Sequence, residues 1–385
     1  MNELHIDKTY WKKYRFGDVA IQTKEVVDIE NTSLTRYVAG EHMFSEDIHL
    51  RKWGTVGDGY LGPAFIRKFN KGDILYGSRR TYLKKVAIAD FDGITANTTF
   101  VIKANEDLIE PVLLAHLMLS HDFTEYSVKN SRGSVNPYIN WKDIADYEFL
   151  LPPKAEQKRL AELLWVADEV VEKEKKTHDL IEKYYHSSIS NKFSNQKTFC
   201  DLGSLCDIKS GFAFPLKYQG HKDLHIPFFK VSDMNHPKNK HEMQVSENYV
   251  DDNILKAIKG QTYPAGSLIF PKIGATIYTD KKRLLFSDSV VDNNIMVLLP
   301  NQKQLNPHYL YYFFNTFKLA DIINTGAVPT ISAETVRHIQ IPNLEIEQQE
   351  KTVNEIDAII KTMKQQELLV EQSQQIKQEL INKIF

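Results

Sequence analysis

Arg79 and Arg80 stand side by side in the run Ser78-Arg79-Arg80-Thr81-Tyr82-Leu83-Lys84-Lys85, which sets four cationic residues around one aromatic. A guanidinium presents two parallel donors in a plane, a geometry suited to phosphate oxygens and to the edge of a guanine. Arg79, Arg80 and Tyr82 are therefore candidates for contact with a nucleic acid. Lys84 and Lys85 read equally as phosphate contacts or as residues that solvate a strand end. Half a chain later, Lys272, Tyr278, Lys281, Lys282 and Arg283 offer the same chemistry. There, Lys281-Lys282-Arg283 reads as a phosphate clamp or as an exposed hairpin tip. Arg132, Ser134 and Asn136 around Gly133 face Thr325 and Thr330 around Gly326 as further candidates, the glycines themselves being turn formers.

Catalytic signatures are weaker. Asn306-Pro307-His308-Tyr309 resembles the Asn-Pro-Pro-Tyr motif of adenine methyltransferases, and Asn136-Pro137-Tyr138 resembles it less well. Such an enzyme also needs a glycine-rich cofactor loop after a strand, and Gly54-Thr55-Val56-Gly57-Asp58-Gly59 does not have that spacing. A helix start at Pro307 explains the motif better. No phosphate-loop lysine motif, H-E-x-x-H or G-x-S-x-G occurs, and the 13 histidines are scattered. No catalytic residue, cofactor site or metal site is expected.

What must position the cationic runs is a duplicated scaffold. Short apolar runs such as Asp73–Tyr76, Val86–Ala89 and Thr99–Ile102, divided by Gly and Asp, predict strands. Pro111–Leu119 predicts a short buried helix beginning at proline. From Pro152 to Phe193 the chain has no Pro or Gly after its opening prolines, and Leu160, Leu163, Leu164, Ala167, Val170 and Val171 recur at the spacing of one long helix. Leu163, Ala167, Val170, Ile181, Tyr184 and Ser188 keep a 4-3 spacing that Glu174 and Thr177 interrupt, and Leu160, Leu164 and Trp165 read as facing a second helix or a partner protein. Residues 342–385 repeat that pattern. Glu156-Gln157 aligns with Glu347-Gln348 and Asn191-Lys192 with Asn382-Lys383, each at an offset of 191 (347 − 156; 382 − 191). In the second helix Val353, Ile356, Ile360 and Met363 predict the seam, which Ile376, Leu380 and Ile384 resume after a polar middle. The regions before the helices repeat too: Gly266–Phe270 answers Gly72–Tyr76, and Pro307 answers Pro111.

The expected organisation is a mixed α/β (α+β) head over 1–151, a long helix over 152–193, a second head over 194–341 and a second long helix over 342–385. Antiparallel pairing of the helices as a coiled coil would give a rod of roughly 57 Å, with a pseudo-twofold internal repeat. With 42% hydrophobic and 25% charged residues, the 385-residue chain can bury ordinary cores. No apolar run approaches the ~20 residues of a membrane span. Two cysteines, Cys200 and Cys206, make no disulfide framework, and a cytoplasmic location is expected. The net charge of −2 does not announce a nucleic-acid partner, although a local patch matters more than the total.

Over nearly its whole length the chain resembles the specificity subunits of type I DNA restriction–modification systems. The resemblance is carried by Gly72–Ile102, Ile208–Phe214, Ile226–Met234 and Gly266–Ile277, by the Gly133 and Gly326 turns, and by the helix starts at Pro152 and Pro342. It implies two target-recognition domains, each reading half of a split double-stranded DNA sequence, and a helix pair that fixes the spacer. It also implies docking of two methyltransferase subunits and, through them, restriction subunits. Those partners would use S-adenosylmethionine, ATP and magnesium, and this chain would be non-catalytic. The alternative is a scaffold or antirestriction decoy whose paired heads bind proteins.

Overall fold

A computed structural model describes residues 6–324 and 326–385. The chain forms two compact units, Met1–Thr177 with Gln366–Phe385, and His178–Gln365. The division falls inside both long helices, so each unit owns a piece of each.

In the first unit, four antiparallel strands lie in the order Ala20–Thr23, Thr99–Ala104, Ile74–Gly77, Val86–Ile88. Alternation along the strands explains why both sheet faces are covered. Ile74, Tyr76, Phe100 and Ile102 enter one core with the Pro111–Leu117 helix. Leu75, Ala87 and Val101 enter another with Val38 and Phe69. Phe69 belongs to a second four-stranded sheet, in which Arg36–Val38 and Gly93–Ala96 pair in parallel. A strand pair, Lys12–Arg15 with Glu148–Leu151, leads into the first long helix.

The second unit repeats this plan. Cys206–Ser210, Ile295–Pro300, Leu268–Pro271, Arg283–Leu285 and Glu242–Met243 form a five-stranded sheet. Phe199–Asp201 pairs with Gln340–Pro342 ahead of the second long helix. Pro307–Phe314 is a helix, and the Asn306 side chain accepts from the His308 and Tyr309 amides at its start. That cap accounts for the methyltransferase-like tetrapeptide as a helix start.

The long helices run over Lys154–Ser194 and Ile346–Ile384. In the first unit the beginning of one lies against the end of the other, because Leu160, Leu164, Ile381 and Ile384 share a core. In the second unit Ile189, Phe193, Val353 and Ile356 do the same. Each unit therefore pairs its helix segments antiparallel. Of the apolar positions read from the first helix, Leu160, Leu164 and Val171 are buried, Leu160 and Leu164 in a core shared with the second helix, whereas Leu163, Trp165, Val170 and Tyr184 are exposed. The buried line is Gln157, Leu160, Leu164, Asp168 and Val171, with Ile189 and Phe193 further along. On the second helix Ile376 is exposed and Gln366, Lys377 and Ile381 are buried instead. Polar residues occupy the seam because they meet partners there.

The helix starts also shift the repeat by one residue. Gln157 accepts from the Glu110 amide and donates to the Leu108 and Pro152 carbonyls. Gln349 accepts from the Asn306 amide and donates to the Gln304 and Leu344 carbonyls. The equivalent residues are thus Gln157 and Gln349, a spacing of 192 (349 − 157), rather than Gln157 and Gln348.

Candidate nucleic-acid interface

The arginine run of the first unit is held by backbone geometry. Arg80 and Lys84 adopt φ of 48° and 47° and bracket a 3-10 turn over Thr81–Leu83. A left-handed conformation costs a non-glycine residue about 1 kcal/mol or more, and such strain collects at functional sites. The run is pinned to the later turn: the Arg80 amide donates to the Pro137 carbonyl at 2.7 Å, and Ile139 donates to Ser78 at 2.9 Å. Tyr138 bridges to both Arg79 and Arg132. Beneath them the Ser78 hydroxyl donates to the Thr98 carbonyl at 2.6 Å, which fixes the base of the run.

The second unit has the same frame, with Thr330 bridging to both Ile273 and Asn324. Ile273 therefore stands where Arg79 stands, and Gly274, with φ of 74°, stands where Arg80 stands. Lys272 donates to the Ser210 hydroxyl at 2.6 Å, and burial lowers its pKa. Thr330 is half-buried within this frame, and Tyr278 is exposed on the turn after Gly274. Thr325 lies outside the described residues.

Several cations are already engaged inside the protein. Lys84 pairs with Glu46 at 2.7 Å and Lys85 donates to the Gly40 carbonyl at 2.5 Å, so neither is simply solvated at a strand end. Arg132 pairs with Asp143 at 3.2 Å. The expected clamp Lys281-Lys282-Arg283 is corrected at two positions. Lys282 is 2% exposed; it donates to the Phe317 carbonyl at 2.6 Å and pairs with Asp280 at 2.9 Å. Arg283 donates to the Asn239 and Lys282 carbonyls. Both are turned inward, where burial lowers their pKa values. Lys281 reaches Asn235. Ser134 and Asn136 are exposed on the Gly133 turn.

What the structure adds is a cleft of about 670 Å³ in the first unit, beside Arg79 and Tyr138. Its cationic lining is Lys24, Arg67, Arg79 and Lys142, and no carboxylate lines it. The Arg67 side chain donates to the Lys24 carbonyl at 2.8 Å. Lys24, Arg79 and Lys142 form no ion pair among the described residues. Phe100 and Trp141, edge to face with ring centroids 5.8 Å apart, supply an apolar wall. Unpaired cations gathered along one cleft concentrate positive potential, even in a chain of net charge −2. Of the candidate nucleic-acid contacts named from the sequence, the cleft includes only Arg79. Lys24 and Lys142 are lone cations in the chain and Arg67 stands beside Lys68; strand pairing and the 141–145 helix bring the three together.

A second group joins head to helices within the first unit. Asp168 accepts from Lys377 at 2.9 Å and lies 2.6 Å from His49. Arg51 bonds both Asp47 and Glu172. Asp47, His49 and Glu172 have a spacing that a metal ion would accept, but Arg51 and Lys175 already neutralise the carboxylates.

Comparison with known proteins agrees with this architecture. The family described as "Type I restriction modification DNA specificity domain" matches residues 10–183 and again 195–377. The type I restriction enzyme MjaIX specificity subunit of Methanocaldococcus jannaschii is 24% identical over 361 residues, covering 87% of this chain and 76% of that protein. The EcoDI specificity subunit of Escherichia coli is 29% identical over 167 residues, covering 42% of this chain and 36% of that protein. Among solved structures, a chain from a study of complex assembly and conformational transition of the type I R-M system superposes with a TM-score of 0.68. The two are 19% identical, and 97% of each chain is covered. The HsdS subunit from Thermoanaerobacter tengcongensis gives a TM-score of 0.55 at 18% identity, covering 100% of this chain and 98% of that one. Two family matches, one in each unit's head and on into the helices, account for the duplicated scaffold: the chain belongs to the type I restriction–modification specificity family and is a DNA sequence-specificity subunit.

Proposed function

We propose that each head reads one half of a split DNA target, and that the paired helices fix the spacer and dock methyltransferase subunits. The observation that carries the DNA-reading part is the cleft with four cationic residues and no carboxylate. Phosphate contacts supply affinity and register, whereas side chains at base edges supply sequence. The heads share a frame but differ at its contact positions, Arg79 against Ile273 and Arg80 against Gly274, as two different half-sites require.

For docking, the first helix exposes Leu163, Trp165, Val166 and Val170, which the intramolecular pairing leaves uncovered. An apolar strip of this kind suits a protein partner. Methyl transfer and DNA cleavage would then belong to the partner subunits, with S-adenosylmethionine, ATP and magnesium bound there, and the complex would work in the cytoplasm.

The test is a long-read methylation map of DNA from cells expressing this chain with its methyltransferase subunit. A split motif, methylated on both strands and lost without this chain, is the expected result. Absence of methylation with both proteins folded and co-purifying would overturn the proposal and favour the scaffold or decoy.

A further inference from the structure

Gln22 is the one residue of the cleft that the fold leaves in debt. Its side-chain oxygen is buried and has no hydrogen-bond partner. An unsatisfied buried acceptor is destabilising, and native structures keep few of them. Gln22 lies opposite Ile102 in the strand pair, and shares its face with Ala20, Phe100 and Ile102, all core residues. An apolar side chain would be the unstrained choice there.

The second unit makes that choice. Ile102 pairs with Ile74 as well as with Gln22, and Leu298 pairs with Leu268 as well as with Ile208. Ile208 therefore occupies the position of Gln22, and it packs against the second core. The same scaffold thus carries an isoleucine that satisfies the fold and a glutamine that does not.

The amide is not used internally, so turning it toward an incoming group breaks no hydrogen bond to the protein. It is flanked in the cleft by the cations that would hold a phosphate backbone, and it stands beside the Phe100–Trp141 wall. A glutamine amide sets its oxygen acceptor beside an N–H donor, which match the exocyclic amino group and ring N7 of adenine in the major groove.

From this we infer that Gln22 is a specificity-determining residue, reading an adenine in the half-site served by the first unit. The inference rests on the DNA-reading function proposed above. Bound DNA would provide the donor that the buried oxygen lacks.

The experiment is the methylation map repeated with Gln22→Ala and Gln22→Glu chains, each assembled with the methyltransferase subunit and checked for an intact thermal transition. In Gln22→Ala, preference at one adenine position of one half-site should relax roughly ten- to a hundredfold, the loss of one two-bond base contact. The other half-site should stay unchanged. Glutamate keeps an acceptor but loses the donor, so Gln22→Glu should move that position toward cytosine. If wild type writes a split motif and both variants write the same motif with the same preferences, Gln22 reads no base and the inference falls alone. Uniform loss at every position, in folded variants, would also overturn it. If wild type directs no methylation, the proposed function falls and takes this inference with it.

Discussion

Asp168 of the first long helix and Lys377 of the second form an ion pair at 2.9 Å that is almost completely withdrawn from water, with the residues 2% and 6% exposed. Counted on the spacing of Gln157 and Gln349, the equivalent positions in the second unit are Ile360 and Tyr185 (360 − 168 = 192; 377 − 185 = 192), and both pack against its apolar core. One scaffold thus fills the same two positions once with charge and once with side chains that pack on an apolar core. Removing one partner of such a pair leaves a stranded charge, whereas replacing both by apolar groups is often neutral. Lys377→Met should therefore destabilise the first unit by about 3 kcal/mol. The double substitution Asp168→Ile with Lys377→Tyr should recover part of that loss, since it also removes the acceptor of His49. Denaturant unfolding of both chains checks this; equal losses would contradict it.

The same carboxylate makes the first unit sensitive to pH. Burial alone would raise the Asp168 pKa, but the His49 hydrogen bond and the Lys377 charge outweigh it and hold the group well below its ordinary 3.8. The Asp168 hydrogen bond raises His49 above its ordinary 6.5, against the effect of burial. The histidine contribution is complete below pH 6.5 and fades as pH climbs through the raised value. The aspartate contribution is present above pH 3.8 and fades as pH falls through the depressed value. Thermal unfolding followed from pH 4 to 9 should show the alkaline decline, and His49→Gln should flatten it. An imidazole midpoint at or below 6.5 by NMR would refute the coupling.

Arg80 carries a conformation that its counterpart Gly274 adopts freely, with φ of 48° and 74°. Arg80→Gly relieves a left-handed strain of about 1–2 kcal/mol and adds about 0.5–1 kcal/mol of unfolded-chain entropy. A small gain in stability is expected, together with weaker DNA binding or a relaxed half-site. A variant that is both more stable and unchanged in its methylation motif would remove the Arg80 side chain from the interface.

Salt separates the cations that face the cleft from those turned inward. Lys24→Ala and Lys142→Ala should each lower the slope of log affinity against log salt by about 1 in the assembled complex, with the motif unchanged. Lys282→Met should leave that slope alone and lower the melting temperature, because its ammonium is spent on Phe317 and Asp280. A reversed pattern would restore Lys282 to the interface.

The scaffold was legible because duplication repeats its landmarks: the proline-led helix starts, the Gly72 and Gly266 strand turns, and the Pro111 and Pro307 helices. The seam was less so. Apolar spacing marks Leu160, Leu164 and Val171, which are buried, together with Leu163 and Val170, which are not, and it passes over Gln157 and Asp168, whose partners lie far away in the chain. The lysines failed for a similar reason. Glu46 is 38 residues from Lys84, and Phe317 is 35 residues from Lys282, so sequence alone cannot say which ammonium is already paired. Gln22 and Lys24 gave no signal, standing in the short polar run Gln22–Glu25 where a strand ends. Comparing the repeats strand by strand would have marked Gln22, since its counterpart is Ile208.

The first unit closes its core with Ile381 and Ile384, residues that follow the whole second unit in the chain. During synthesis the ribosome delivers the first head early but withholds those side chains until nearly 190 intervening residues (178–365) have emerged. The unit begun first is therefore completed last. Until then the core around Leu160 and Leu164 lacks the side chains of Ile381 and Ile384, and a stalled or truncated translation product would present that incomplete core to chaperones and proteases.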